Sequence, residues 1–235
     1  MPTAPRIKKA SMKASADTLG TASATAPVTP ESTAYLLRIE LRDLKPTIYR
    51  EVLVDPAMSL AQLHEVIQAA MGWENSHMHG FAMPGGKRLP RFWNAQPDLR
   101  IEPPETQVGF DEEKPRSTHK VRVKEALPKL KDKLLYMYDF GDDWEHVITF
   151  KSLVLTSEPL PKLVKAEHGC PPEDCGGPGG FADQMQIFHD PSHPEHEEIK
   201  EWLGEDFEPG ALDLVALQAA VKRLAPKVRS TKKVL

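Results

Sequence analysis

The chain has 235 residues, 40% of them hydrophobic and 27% charged, and it contains two cysteines. This length is enough to bury a hydrophobic core, and two cysteines are too few for a disulfide-stabilised scaffold. No apolar run approaches the roughly 20 residues of a membrane-spanning helix, and the start lacks the apolar segment of a secretory signal. We therefore expect a cytoplasmic protein that does not associate with membranes.

The formal net charge of −4 is unevenly distributed along the chain. Residues 1–33 and 222–235 carry +2 and +6, so the body between them carries −12. Within that body, the segment 165–208 has twelve acidic and two basic side chains. A surface built from this segment repels phosphate backbones and attracts cations or basic proteins. Only the basic ends of the chain are therefore expected to contact nucleic acid.

The N-terminal segment has the composition of a disordered tail. Residues 1–33 are Ala, Ser, Thr or Pro at 21 positions and show no apolar periodicity. Such a segment buries too little apolar surface to offset its conformational entropy. We predict a disordered tail over 1–33, one domain over 34–224 and a basic tail over 225–235.

Apolar periodicity predicts the elements of the first half of the body. Alternating apolar residues favour antiparallel strands at 35–41 and 48–54, and a Ser59 cap with apolar residues at helical spacing predicts a helix over 59–71. A short strand is expected at 77–82. Residues 84–118, rich in proline and charge, are expected to form mostly a long loop.

The second half begins with a short extended piece at 121–123, followed by a helical turn. The strongest local pattern, at 134–154, predicts a hairpin with its turn at Gly141-Asp142-Asp143. A Pro/Gly-rich loop follows, and then three short helices, the last capped by Asp213. The whole pattern predicts an α+β fold, a single domain with an antiparallel sheet of hairpins packed by several short helices.

Three motifs occur in order along the second half of the chain. They are YMYDFGDDWEH from Tyr136, CPPEDCGGPGG from Cys170 and HPEHEE from His193. With the Ile48-Tyr49-Arg50 start of the second strand and the helix that begins at Leu60, they resemble the ORF-three-like domain first named from an Ri plasmid. The similarity runs from about Tyr35 to about Leu224 and departs at the ends and in the 84–118 loop. It implies an α+β domain carried on plasmids and chromosomes, without an established biochemical activity.

Related sequences are labelled as the resolvase-like passenger protein of an insertion element. A serine recombinase needs a nucleophilic serine near the start of its catalytic domain and a group of arginines that neutralise phosphate. Here the early serines fall in the predicted tail, and the acidic body offers no such arginine group. Recombinase chemistry is therefore not expected.

The hairpin motif has two interpretations. Its polar side chains are Asp139, Asp142, Asp143 and His146. In the first interpretation they converge at the turn as ligands of a divalent cation such as zinc, or as an acid/base pair. In the second, the aspartates accept hydrogen bonds from the turn backbone and Trp144 packs against the sheet. Alternation places His146 on the same face as Trp144, where it would be half-buried with its hydrogen bonds satisfied.

Cys170 and Cys175 form a single C-x-x-x-x-C pattern without a second pair of cysteines. A zinc site would need two more ligands. The nearest histidines are His168, His189, His193 and His196. The neighbouring prolines and glycines equally indicate a shaped loop in which the thiols are small buried side chains. A redox disulfide is not expected in a reducing compartment.

The histidines outside the hairpin also have alternative interpretations. His193 and His196 are one helical turn apart and could present both rings on one side, yet Pro194 and Glu195 also indicate a helix start that would leave His196 exposed. His77 and His79 share a strand face and could reach a cleft or lie on the sheet surface. The sequence contains no complete phosphate-binding loop, nucleophile elbow or H-E-x-x-H motif.

Three functional hypotheses follow. The first is a non-enzymatic binding or accessory module whose acidic 165–208 surface recognises a basic protein or a cation. Its binding surface would include Asp139, Asp143, Trp144, Glu173, Asp174 and His193. The second is a metal-dependent hydrolase. Its zinc ligands or base would be Asp142, His146, Cys170, Cys175 and His196. The third is a nucleic-acid-binding accessory protein that acts through its basic tails.

Overall fold

An eight-stranded sheet is the framework of the structure, a computed structural model that describes residues 31–86, 88–104 and 115–226. The strands are β1 (Ser32–Leu41), β2 (Tyr49–Val54), β3 (His79–Ala82), β4 (Arg100–Glu102), β5 (Arg116–Ser117), β6 (Lys133–Tyr138), β7 (Trp144–Thr156) and β8 (Lys162–Glu167). Their order is β5-β4-β3-β6-β7-β1-β2-β8, and every pair except β4 with β5 is antiparallel. The fold is therefore α+β, as predicted.

Five α-helices accompany the sheet among the described residues. They are α1 (Leu60–Met71), α2 (Val123–Ala126), α3 (Gly177–His189), α4 (His196–Leu203) and α5 (Leu214–Arg223). All described residues belong to one compact unit. No helix in the described ranges combines the length and the apolar character that crossing a bilayer requires.

Helix α1 forms where its cap and its apolar spacing coincide. The hydroxyl of Ser59 accepts a hydrogen bond from the Gln62 backbone N–H, and the Gln62 side chain accepts one from the Ser59 N–H. The helix ends at Gly72, whose φ of 89° is left-handed and suits glycine. Leu60, Leu63 and other apolar residues of its inner face pack into the main core together with side chains of β1, β2, β6 and β7. This core fixes the end of α1, which borders the candidate site.

The two predicted hairpins are confirmed, and Asp213 caps α5 through a hydrogen bond from Ala216 N–H. Strand β1 begins at Ser32, two residues inside the predicted tail, because Ser32 and Thr33 pair with the end of β7. The rest of that tail and residues 227–235 of the basic C-terminal tail lie outside the described residues. The extended piece expected at 121–123 is instead a single bridge at Arg122 that leads directly into α2.

The 84–118 segment is more ordered than a long loop in its described part. Phe92–Asn94 and Pro97–Leu99 form short 3₁₀ turns, and β4 and β5 extend the sheet. Phe92 is fully buried in a second apolar cluster with Leu135 and Met137. Strand β8 was not predicted at all. Elements of two to six residues that depend on one buried side chain carry too little periodicity to be recognised from sequence.

Candidate functional site: an acidic cleft beside the hairpin turn

A cleft of about 1070 Å³ opens between the end of α1, the β1–β2 loop, the loop of residues 168–176 that connects β8 to α3 (the Cys170 loop), α3 itself and residues 206–211. Its apolar lining includes Met71, Trp73, Phe181 and Phe207. Trp73 is only 8% exposed, and its indole N–H donates to the Pro171 carbonyl at 3.0 Å, which ties the loop to the end of α1. The segment 165–208 supplies 13 of the 25 described lining residues.

The charged side chains of the cleft are mainly acidic. The carboxylates in its lining are Glu74, Glu173, Asp174, Asp206 and Glu208. Lys45 is the one lysine or arginine among the described lining residues. Asp206 and Glu208 are exposed, and neither forms an ion pair with any described residue. The cleft therefore presents uncompensated negative charge above an apolar floor.

Hydrogen bonds attach the Cys170 loop to the hairpin. The Asp142 carboxylate accepts from Gly176 N–H at 3.1 Å, and Glu173 accepts from the Tyr138 hydroxyl and from Glu74 N–H. The close approach requires glycine at position 177, because a Cβ there would lie 2.0 Å from the Asp142 carbonyl oxygen. The first two sequence motifs therefore meet in space.

His77, Asp139 and Asp174 lie together where the hairpin and the loop meet. One ligand atom of each side chain falls within 4.8 Å of the others, and they are the one such group of three among the described histidine, cysteine and acidic residues. His77 Nε2 lies 3.1 Å from Asp174 Oδ1, and His77 Nδ1 lies 3.5 Å from Asp139 Oδ2. From sequence, both aspartates were expected on the binding surface, Asp139 also as a possible cation ligand, and His77 on a strand face that could reach a cleft.

No three of the five predicted metal ligands approach one another in this way in the described ranges. His146 is fully buried rather than half-buried, and its Nδ1 bonds the Trp144 carbonyl at 2.9 Å. Burial lowers the pKa of His146 to about 3, so the ring is neutral at pH 7. Its hydrogen bonding is incomplete, since Nε2 has no partner among the described residues.

Both cysteines are free thiols. Burial raises the pKa of Cys170 to about 11 and that of Cys175 to about 12. Cys170 Sγ accepts a hydrogen bond from the Arg50 guanidinium at 3.3 Å, and Cys175 is 2% exposed in the main core. At neutral pH both thiols are therefore protonated, the form that is poor in metal binding and in nucleophilic attack.

The remaining predicted residues mainly support local structure. The Asp143 carboxylate accepts from the Trp93 indole N–H at 2.7 Å, and Trp144 is fully buried. His193 accepts from Glu195 N–H through Nδ1 at 3.2 Å. His196 is largely buried, contrary to the exposed position considered for it, and its Nδ1 bonds the Ile187 carbonyl at 3.0 Å. His196 thus joins α4 to the backbone of α3, whereas the hydrogen bond of His193 stays within the segment before α4.

Two buried charged residues of the motifs were not recognised as structural. Arg50 is fully buried and donates to the carbonyls of Ala70, Tyr49, Glu167 and His168. Glu145 is 3% exposed and accepts from Arg42, Arg91 and the Phe92 N–H. A charged residue inside a strand with otherwise apolar alternation is the sequence signal that could have identified both.

A second, smaller pocket of about 390 Å³ adjoins the hairpin and contains four histidines, His64, His77, His79 and His119. Burial lowers the pKa of His64 to about 4 and that of His79 to about 3. The Thr118 hydroxyl, fully buried, and His79 Nε2 have no hydrogen-bond partner among the described residues. His64 and His79 are therefore neutral imidazoles at pH 7.

A family model described as "Plasmid pRiA4b ORF-3-like protein" matches residues 33–216, a range that runs from the second residue of β1 to the first turn of α5 and includes all three motifs. The chain belongs to this family. The match contains the acidic cleft, the hairpin turn and the Cys170 loop. The resemblance expected from the motifs is thereby confirmed.

Two relatives of this ORF-3-like protein extend the comparison. An uncharacterized protein, y4hQ, from Sinorhizobium fredii (strain NBRC 101917 / NGR234) is 34% identical over 194 residues, covering 81% of this chain and 92% of the relative. The crystal structure of a protein of unknown function, MM3350, from Methanosarcina mazei Go1 has a TM-score of 0.64 at 27% identity, covering 78% of this chain and 96% of that one. These relatives support the fold and carry no described activity.

Proposed function

We propose that this ORF-3-like protein is a non-enzymatic binding module that recognises a basic segment of another protein in its acidic cleft. The observation that supports this most directly is the composition of the cleft. Five carboxylates and one lysine lie around its apolar side chains in the described lining. The segment 165–208, singled out for its charge, supplies four of the five carboxylates, namely Glu173, Asp174, Asp206 and Glu208.

The ligand chemistry follows from the two kinds of side chain. Lysine and arginine have apolar stems and charged ends, so they bury methylene groups against apolar surface while the charge stays near solvent. The Phe181 and Phe207 side chains offer such a surface, and Asp206 and Glu208 offer the counter-charge. A segment that alternates basic and apolar residues would complement both features of the cleft.

Electrostatics alone would not produce stable binding. An exposed ion pair contributes about 0–1 kcal/mol, and salt screens it with a Debye length of about 10 Å at 0.1 M. Specific recognition therefore also needs the apolar lining. We expect micromolar affinity, equivalent to about −7 to −8 kcal/mol, which weakens as the salt concentration rises.

The hydrolase alternative has less support. Its proposed cysteine ligands are protonated at neutral pH, and the neutral His146 ring is enclosed in the core. A general base must reach the proton of its substrate directly or through one water. The nucleic-acid alternative depends on tail residues, most of which lie outside the described ranges.

Fluorescently labelled peptides of ten residues test the proposal. One peptide alternates lysine with leucine, a second replaces each lysine by glutamate, and a third replaces each leucine by serine. Binding is measured by fluorescence anisotropy at low and high salt. We expect only the lysine–leucine peptide to bind in the micromolar range.

A pair of charge-matched variants assigns the binding to the cleft. Asp206→Lys with Glu208→Lys changes the net charge by the same amount as Glu197→Lys with Glu198→Lys, and the latter two residues lie on α4 outside the cleft lining. We expect the first double variant to weaken peptide binding at least tenfold and the second to change it less than threefold. Equal effects of the two would leave only non-specific charge attraction and would refute the proposal.

A further inference from the structure

We propose that His77, Asp139 and Asp174 bind one divalent transition metal ion, Zn²⁺ or Mn²⁺, at the junction of the hairpin and the Cys170 loop. The three residues come from distant points of the sequence and converge with one ligand atom each within 4.8 Å. Of the three, only Asp139 was considered as a cation ligand from sequence, in the hairpin motif, and His77 and Asp174 were not. Asp174 also lines the cleft, but the metal titration uses no peptide, so the two proposals are tested separately.

The ligand types fit these ions. An imidazole nitrogen with two carboxylate oxygens suits zinc or manganese, whereas magnesium and calcium prefer oxygen ligands throughout. Metal–ligand bonds of about 2.0–2.2 Å place neighbouring ligand atoms roughly 3.3 Å apart in a tetrahedral zinc site. His77 Nε2 lies 3.1 Å from Asp174 Oδ1, and His77 Nδ1 lies 3.5 Å from Asp139 Oδ2. Because the two carboxylates face different ring nitrogens, binding of one ion requires side-chain rotation that brings a single nitrogen and both carboxylates to it; one ligand atom of each residue already lies within 4.8 Å of the others.

The Asp139 carboxylate is already oriented for this role. Its Oδ1 accepts hydrogen bonds from Gly141 N–H at 2.9 Å and Asp142 N–H at 3.3 Å. Oδ2 is the oxygen that faces His77. The turn thus fixes one oxygen and leaves the other directed at the imidazole, which is the arrangement of a ligand supported by backbone hydrogen bonds.

The His77 ring has an unused nitrogen at this point. His77 Nε2 is buried and has no hydrogen-bond partner among the described residues. Asp174 Oδ1 lies 3.1 Å away but outside the direction of a ring N–H, so the two form an ion-pair contact without a hydrogen bond. A buried ring nitrogen beside a carboxylate and without a hydrogen bond is a donor atom available to a cation.

An ion can reach the group of His77, Asp139 and Asp174, and neighbouring hydrogen bonds hold the group in place. His77 and Ser76 line the 390 Å³ pocket, and the Asp174 side chain is 72% exposed, so an ion can enter without opening the core. The flanking Glu173 is held by Tyr138 and Glu74, which limits the movement of Asp174. A bound ion would link the segment before β3, the β6–β7 turn and the loop before α3.

Isothermal titration of chelator-treated protein with ZnCl₂ and with MnCl₂ tests the proposal, with MgCl₂ and CaCl₂ as comparison. We expect one ion per chain with a dissociation constant below about 10 μM for Zn²⁺ or Mn²⁺. His77→Gln and Asp174→Asn should each weaken binding at least tenfold. Because an ion would join three segments, it should also raise the melting temperature of the native chain but not that of these variants.

Two matched controls separate this site from other binding. His193→Gln removes a histidine outside the group, and Asp206→Asn removes an exposed carboxylate of the cleft. Each should leave the affinity within twofold. The Asp174 side chain is exposed, so Asp174→Asn should fold even if His77→Gln does not. Full affinity in Asp174→Asn, or no one-to-one binding of either metal, would overturn the proposal, and neither result bears on the peptide experiment.

Discussion

His64 and His79 stack face to face, with ring centroids 3.4 Å apart and planes inclined by 6°. The Asn75 amide N–H₂ donates to Glu65, which turns its carbonyl oxygen to His64 Nε2 at 2.6 Å. Nε2 therefore carries the proton, and Nδ1 accepts from the Tyr136 hydroxyl at 2.8 Å. This network holds His64 as a neutral imidazole, and a second neutral ring can stack on it without charge repulsion.

We predict that the stability of the protein falls steeply below pH 6.5. The folded pKa values of His64, His79 and His146 are about 4, 3 and 3, below the unfolded value of about 6.5. The unfolded chain therefore binds protons that the folded chain does not, and stability is complete above pH 6.5 and lost as the pH falls toward 4. Each histidine contributes a slope of about 1.4 kcal/mol per pH unit near pH 5. Urea unfolding at pH 7, 6 and 5 measures that slope.

A substitution identifies the histidines responsible. His79→Asn should reduce the pH dependence of the unfolding free energy near pH 5 by about 1.4 kcal/mol per pH unit, which corresponds to one bound proton. This holds whatever the effect of the substitution on stability at pH 7. His193→Gln, in a partly exposed ring outside this network, should leave the slope unchanged. Stability that is flat between pH 7 and pH 5 would contradict the prediction.

We predict that Arg50→Lys destabilises the protein by about 2–4 kcal/mol. The Arg50 guanidinium donates to the carbonyl of Ala70 at the end of α1 and to those of Glu167 and His168 at the end of β8. A lysine ammonium keeps the charge but cannot reach these separated acceptors together, so buried carbonyls lose their donors. Urea unfolding at neutral pH measures the change.

Arg38→Lys is the matched control, because Arg38 is partly exposed on the same sheet and pairs with Glu40 and Glu51. Such exposed pairs contribute about 0–1 kcal/mol. If the two arginine variants lose equal stability, the buried network of Arg50 is not what holds the Cys170 loop to α1.

We predict that Gly177→Ala is strongly destabilising, whereas Gly179→Ala is tolerated. At position 177 φ is +69°, and a Cβ would lie 2.0 Å from the Asp142 carbonyl oxygen. At position 179 a Cβ meets nothing within 4 Å, and alanine favours the helix. We expect a loss of more than about 2 kcal/mol for the first and a change within about 1 kcal/mol for the second. Thermal unfolding of both variants measures the two changes. Equal melting temperatures would show that the close contact between Gly177 and Asp142 does not restrict the residue at position 177.

We predict that both thiols react slowly with a disulfide reagent in the native state. Their pKa values of about 11 and 12 leave little thiolate at pH 8. The reaction should be about two orders of magnitude slower than in urea, where both cysteines are exposed and have a pKa near 8.5. Cys170→Ser and Cys175→Ser assign the rates individually. A native thiol that reacts as quickly as the unfolded one would instead indicate an activated cysteine.

Much of the fold was determined by local sequence patterns. The Ser59 cap with apolar spacing through Met71, and the alternation on both sides of Gly141, specify α1 and the β6–β7 hairpin within windows of 12 to 20 residues. Their energies depend on neighbours in the chain, so sequence alone predicts them. Strand β8 and the turn at Phe92 could not be predicted from local patterns, because each depends on a partner more than 50 residues away in the chain.

The candidate site was decided by the tertiary structure. The acidic character of 165–208 is a property of composition and is visible in the sequence. The meeting of His77, Asp139 and Asp174 is not, because it requires the sheet to place β3 beside β6 and the Asp142–Gly176 hydrogen bond to fold the Cys170 loop onto the turn. The same packing encloses His146 and Cys175 in the core. Which side chains converge depends on contacts between distant segments, and those form only when the whole chain is packed.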